Sequence, residues 1–343
     1  MLTKNIRQSK LVVESKYTSD YENIVYVDSL HSLCLYLYLN KGTRNTLFVI
    51  YSGLASIIKK DEMENYLILN SAFKVSIFSK VLLRYGCIHG KYKEISNFFN
   101  YHENVFFGHD HLELFPLFKR IEDVRLLEDG LANYLDRPGN FQNEIKKIVG
   151  LDYKPFGYSD VVNKVYLIND KPSPKVIDNK ATRVNGTDLY DYLARECKIF
   201  STKPKLISDK SVVVLTQPLS EDGVLSEGEK KRIYQSICEY FINYTSYKVC
   251  LKLHPRDSTM YDIDNVEILE SGVISELYYN DPNVEVVVSL FSSGTIDNSN
   301  SFGCQFLTIG CMFDKRLIHR FGKIKSDSSS YSIEINCILR GEN

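Results

Sequence analysis

Short runs of apolar, β-branched and aromatic residues alternate with stretches of helical spacing along most of the chain. NIVYVDS, HSLCLYLYLNK, TLFVIYS, ENYLILN, FSKVLLRYGC and NVFFGHD supply the apolar, β-rich runs of the first half. The pattern restarts with SVVVLTQPL and the charged helical stretch SEGEKKRIYQSICEYFINY, followed by VCLKLHP, VEILES, VEVVVSLFSSG and CQFLTIG. Such alternation predicts parallel sheets with helices on both faces, an α/β class. Between the two series lies KPFGYSDVVNKVYLINDKPSPKVIDNKATRVNG, rich in Pro, Asn, Asp and Lys, which reads as a connecting region. The boundary falls near residue 205, giving domains 1–205 (with the linker) and 206–343. Two open α/β domains joined this way predict a central cleft at the carboxyl ends of their strands, where ligands bind in such sheets.

Composition narrows the partners. The 343 residues, 44% hydrophobic and 25% charged, suffice for two cored domains. Lys+Arg 42 against Asp+Glu 43 leaves a net charge of -1, so no general field draws a nucleic-acid backbone and none is expected as a partner. Eight scattered cysteines with no C-x-x-C pair read as buried thiols of a reducing compartment. No signal-peptide pattern opens the chain and no apolar run is long enough to span a bilayer, so a cytoplasmic location is expected. KRLIHRFGKIK, residues 315–325, has the mixture of an amphipathic helix that could touch the inner membrane face peripherally. Its plainer reading is the solvated face of a C-terminal helix.

Three segments of the second domain could carry chemistry. In VCLKLHPRD, Pro255 can give no ladder hydrogen bond, so the strand should end with His254 at its carboxyl tip. Arg256 and Asp257 fit an ion pair that orients the loop. In SGVISELYY, Glu276 sits among apolar residues as a helix-borne acceptor. VEVVVSLFSSGTIDNS runs from a buried-type strand into Ser292, Ser293 and Thr295, the outline of a phosphate site at a helix start. Each also has a plain structural reading: a chance His-Pro, an N-cap, a turn. In the first domain, VRLLEDGLANYLDRPG places Glu128, Asp129 and Gly130 at a strand end, where Asp129 offers a carboxylate to the cleft. A second triplet, Glu221-Asp222-Gly223, opens a helix, and dipole stabilisation accounts for it. His109-Asp110-His111 lacks an evident third ligand, and Asp262-Ile263-Asp264 lies in a polar stretch, so both read as structural or surface residues and no metal site is expected.

The order LLEDGLANY, KLHP, an S-E-L segment and FSSGT resembles bacterial sialyltransferases of the two-domain GT-B type, most nearly glycosyltransferase family 52, the lipooligosaccharide sialyltransferase family. VDSLHSL, which holds Ser29, resembles the family's first strand-to-helix turn, and VVVLTQPL the segment before the second-domain helix. The resemblance implies a GT-B fold of two Rossmann-like domains. It implies transfer of sialic acid from CMP-sialic acid, with inversion, to a galactose-ended glycan of a capsule or lipooligosaccharide precursor. It makes Asp129 the base, with Asp222 as its rival, and His254 the acid or hydrogen-bond donor to the departing phosphate. Ser292 and Ser293, with Thr295, would hold that phosphate, and Glu276 the cytidine ribose; Pro255 and Ser29 join the substrate-binding set. No cofactor or metal is implied, the partners are a nucleotide-sugar donor and a glycan acceptor, and relatives form homodimers by exchanging N-terminal segments. The chemistry asks for the same residue types, because negative charge builds on phosphate oxygen as the bond to CMP breaks. Two rival readings use the same fold: a hexosyltransferase with a UDP-sugar donor, and a non-catalytic glycan-assembly protein.

Overall fold

A computed structural model of the protein describes residues 11–70, 75–84, 91–134, 155–168, 172–195, 198–200, 204–269, 271–292 and 302–342. The chain forms two compact units, Met1–Ser201 and Thr202–Asn343. The first holds strands β1 (Val12–Lys16), β2 (Asn23–Val27), β3 (Thr46–Tyr51), β4 (Asn65–Leu69), β5 (Val105–Gly108), β6 (Asp123–Leu127), β7 (Lys164–Leu167) and β8 (Ala181–Arg183). They lie in the order β1-β4-β3-β2-β5-β6-β7-β8, all parallel except for β1 against β4. The second unit holds β9 (Ser211–Leu215), β10 (Lys248–Lys252), β11 (Val266–Leu269), β12 (Val284–Ser289) and β13 (Gln305–Thr308), all parallel in the order β11-β10-β9-β12-β13. Leaving aside the antiparallel edge strand β1, each sheet starts in the middle and reverses direction once, between β2 and β5 in the first and between β9 and β12 in the second. Such reversals open a crevice at the carboxyl ends of the strands. Each unit is Rossmann-like, and two such units in one chain make up the GT-B class.

The strands read as near-continuous apolar runs because both faces are covered. Val212 and Val214 face one cluster with Tyr234, Ile237 and Phe241 of the helix Glu227–Tyr244, whereas Val213 and Leu215 face another with Tyr278 and Tyr279. The period of two along β9 thus feeds two cores. Ser226 and Glu229 start the helix Glu227–Tyr244 with a reciprocal capping box. The described cysteines carry no disulfide; Cys34, Cys238, Cys250, Cys304 and Cys311 are buried and Cys337 half-buried.

Several expectations are corrected. HSLCLYLYLNK is a helix, Leu30–Asn40, capped by Ser29, and it shows no helical stripe because residues on nearly every side are buried. Part of FSKVLLRYGC is likewise the helix Ile77–Arg84. The supposed connecting region supplies β7 and β8, which extend the first sheet by parallel pairing, β7 with β6 and β8 with β7. It is held there by Asp110, which accepts from the backbone N–H groups of Phe156 and, at 2.9 Å, Gly157. In KRLIHRFGKIK, Leu317 is buried and Ile318, Phe321 and Ile324 pack against the second unit's core, so the apolar side of this segment faces inward. Among the described residues no helix is long and apolar enough to cross a membrane.

Candidate active site

His254 follows the end of β10 and is fixed from two sides. Its backbone N–H donates to Oγ1 of buried Thr216, just past β9, at 2.9 Å, and its ring Nδ1 accepts the N–H of Arg256 at 3.1 Å. With Nδ1 accepting, the proton of the neutral ring sits on Nε2. Burial, followed by the charges of Arg256 and Lys252, pushes the imidazole down to about 4, so the ring is neutral near pH 7. A neutral Nε2–H is a hydrogen-bond donor, suited to oxygen that gains charge without surrendering its own proton. β10 closes at Lys252, two residues before His254, and Pro255 is exposed beyond it.

The loop beyond His254 is laced to the loop after β9. Arg256 pairs with Asp222 at 2.7 Å, while Asp257 pairs with Lys230 of the helix Glu227–Tyr244 at 2.6 Å. The expected ion-pair role of Arg256 and Asp257 therefore exists, but each finds a different partner. Lys230 also reaches Glu221 at 2.8 Å, and the side chains of Lys230 and Asp257 are fully buried. Burial alone would raise the Glu221 carboxyl, but hydrogen bonds from Lys230 and Ser258 hold it down at about 2. Glu221-Asp222-Gly223 does not open a helix as expected: it lies in a turn, with Gly223 at φ +69°, and the helix cap is Ser226. Sequence reasoning missed Lys230, which sits in a charged run that looks solvated.

Two further residues singled out by the sequence, Glu276 and Ser292, lie after β11 and β12. Glu276 begins the short helix Glu276–Tyr279 between β11 and β12, is buried, and accepts from the Ser275 hydroxyl at 3.0 Å. Ser292 follows β12, and its N–H donates to Ser289 Oγ at 2.9 Å. Ser293 and Thr295 lie outside the described residues.

In the first unit the carboxyl ends of β2, β5 and β6 bring together residues far apart in sequence. Asp28 Oδ1 lies 3.0 Å from His109 Nδ1, and His109 Nε2 lies 2.8 Å from Ser32 Oγ. The Ser32 hydroxyl donates to the Glu128 carbonyl at 2.8 Å, so toward His109 it must accept. Both ring nitrogens therefore face acceptors. Burial alone would lower the His109 pKa, but the hydrogen bond to Asp28 and the charges of Asp129, Asp28 and Asp110 raise it. His111 stacks on His109 at 5.2 Å and on Phe156 at 4.9 Å, and its Nδ1 lies 3.6 Å from Asp129 Oδ2. Asp129 donates its backbone N–H to Asn133 Oδ1 at 2.7 Å, and Gly130 turns the chain at φ +53°. Ser29 caps the helix Leu30–Asn40 by accepting the Ser32 N–H at 3.2 Å. Asp28, just past β2, joins His109 and His111 so that one potential ligand atom from each lies within 4.8 Å of the others, a grouping the local His109-Asp110-His111 spacing does not reveal.

The model for glycosyltransferase family 52 matches residues 79–301, more than half of the 343 residues. The chain belongs to glycosyltransferase family 52. The match takes in Asp129, Asp222, His254, Glu276 and Ser292, while Asp28 and Ser29 precede it. This family 52 member is 28% identical over 236 residues to an uncharacterized protein of Haemophilus influenzae, covering 65% of this chain and 74% of that one. Among solved structures it is similar to the glycotransferase of kitacinnamycin, at a TM-score of 0.49, 11% identity, and 94% and 95% coverage of the two chains. It is also similar to the UDP-GlcNAc 2-epimerase of Neisseria meningitidis bound to UDP-GlcNAc, at a TM-score of 0.44, 12% identity, and 84% and 82% coverage. At TM-scores below 0.5 neither likeness bears on donor or reaction.

Proposed function

We propose that this family 52 glycosyltransferase is an inverting, metal-independent sialyltransferase that moves sialic acid from CMP-sialic acid to a galactose-ended glycan of a bacterial surface polysaccharide or lipooligosaccharide. The observation that carries the reading is the placement of His254, whose neutral ring offers an Nε2–H beside the strand-order reversal of the second unit. As the acceptor hydroxyl oxygen bonds to the anomeric carbon, the bond from that carbon to phosphate oxygen breaks and its electron pair passes to CMP. His254 stabilises the oxygen that receives it, Ser292 holds the phosphate, and Glu276 binds the ribose. The hydroxyl proton goes to a carboxylate, for which we take Asp222, because Arg256 ties it to His254: its backbone meets the imidazole and its guanidinium the carboxylate. Asp129, beside His111, is the alternative base. On this reading the enzyme works on the cytoplasmic side of the membrane.

Nucleotide preference tests this reading, since ligand binding to the folded state raises the unfolding temperature. CMP should raise it more than UMP or UDP does. A UDP shift equal to or larger than that with CMP would assign the same site to a UDP-sugar instead.

A further inference from the structure

We propose that Asp28, His109 and His111 form a binding site for a divalent transition cation of the zinc class, a site that stands independently of the donor reading above. One ligand atom from each of the three residues lies within 4.8 Å of the others, and among the described residues this is the group of His, Cys, Asp and Glu so arranged. Two imidazoles and a carboxylate are the donor set that suits Zn2+ and its first-row neighbours, and not Mg2+ or Ca2+, which prefer oxygen. The residues leave adjacent parallel strands where the sheet order reverses, β2 for Asp28 and β5 for both histidines.

The site is closed behind and open in front. The His109 side chain is 1% exposed, whereas Asp28, His111 and Asp129 keep 41%, 26% and 29%. An open face leaves room for water or a ligand at a further coordination position. His109 also has the support that metal-bound imidazoles show: Nε2 donates to Ser32 Oγ, and Ser32 is fixed in turn on the Glu128 carbonyl, which orients Nδ1 toward Asp28. A cation there takes the place of the proton shared by Asp28 and His109. Bonds of about 2.0–2.1 Å in a tetrahedron require ligand atoms roughly 3.4 Å apart. Asp28 and His109 are already closer than that, so closure falls to the His111 ring, which Phe156 stacks upon without enclosing. Asp129, 3.6 Å from His111, is placed to complete the set or to hold a metal-bound water.

The full-length chain, freed of metal by a chelator, is titrated with Co2+ as a visible-absorbing probe and then with Zn2+ in competition. One equivalent of Co2+ should bind, be displaced by Zn2+, and resist excess Mg2+. Asp28→Asn and His111→Gln, both partly exposed positions, should each weaken Zn2+ binding by more than about 100-fold, the upper end of what loss of a supporting partner alone costs. Asp129→Asn should weaken it about 10-fold. If no stoichiometric binding occurs, or if Asp28→Asn and His111→Gln both bind as the parent does, the proposal is wrong and a proton alone occupies the Asp28–His109 gap. Because these two variants carry the test, it does not depend on whether His109→Gln folds.

Discussion

The backbone N–H of Arg256 donates to Nδ1 of His254 at 3.1 Å, and this one contact fixes which nitrogen of the imidazole can face a substrate. A ring already neutral near pH 7, with its pKa down at about 4, acts through its Nε2–H and loses that form only when it gains a second proton. Transfer that depends on His254 should therefore show no His254-linked fall in kcat/KM as pH rises from about 6 to 8, and any such fall belongs on the acid side. Replacement by Ala should cost about 10²- to 10⁴-fold in rate. A basic limb near the ordinary histidine pKa that vanishes in His254→Asn would mean that a charged imidazole acts instead.

Asp222 and Asp129 can be separated as bases. If Asp222 takes the acceptor proton, Asp222→Ala should lower kcat by about 10²- to 10⁴-fold, while Asp129→Ala retains most of the rate. Circular dichroism of each variant verifies folding. The reverse pattern moves the base to the first unit.

Lys230 is fully buried between Glu221 and Asp257, and removing it leaves the buried Asp257 carboxylate without its cation. Lys230→Met should destabilise the second unit by roughly 3–5 kcal/mol, the cost of breaking a buried pair from one side. Denaturant unfolding followed by tyrosine fluorescence reads this out. A change under about 1 kcal/mol would show that the pair is not holding these loops.

Gly108 ends β5 at φ +157°, and a Cβ there would lie 2.1 Å from the carbonyl oxygen of Tyr26 on β2. Gly108→Ala should cost more than about 1 kcal/mol and shift the imidazole signals of the neighbouring His109. Parent-like stability and an unmoved His109 spectrum would contradict this close approach.

Much of the fold was legible because parallel strands buried on both faces leave a strong imprint: SVVVLTQPL, VCLKLHP and VEVVVSLFSSG all read directly as β9, β10 and β12. The helix at Leu30–Asn40 was misread for the converse reason, since a helix buried nearly all round has no polar face to reveal its period. β7 and β8 escaped because a four-residue and a three-residue strand, set among Pro, Asn and Lys, carry too little pattern. At the candidate site, His254 was visible through Pro255, a local signal. The Asp28–His109 pair was not, because its members lie 81 positions apart and meet only through the crossover that places β5 beside β2. Lys230 was hidden by its charged neighbours, and only the pairing with Asp257 shows that it points inward.

The central claim is the donor, and it is tested most directly by incubating the purified protein with a galactose-ended glycan and either CMP-sialic acid or UDP-sugars, then identifying the product by mass and by the configuration at its anomeric carbon. A sialylated, configuration-inverted product should form from CMP-sialic acid and be lost in His254→Ala, with no hexose transfer from the UDP-sugars. Hexose transfer from a UDP-sugar with CMP-sialic acid left untouched would contradict the claim.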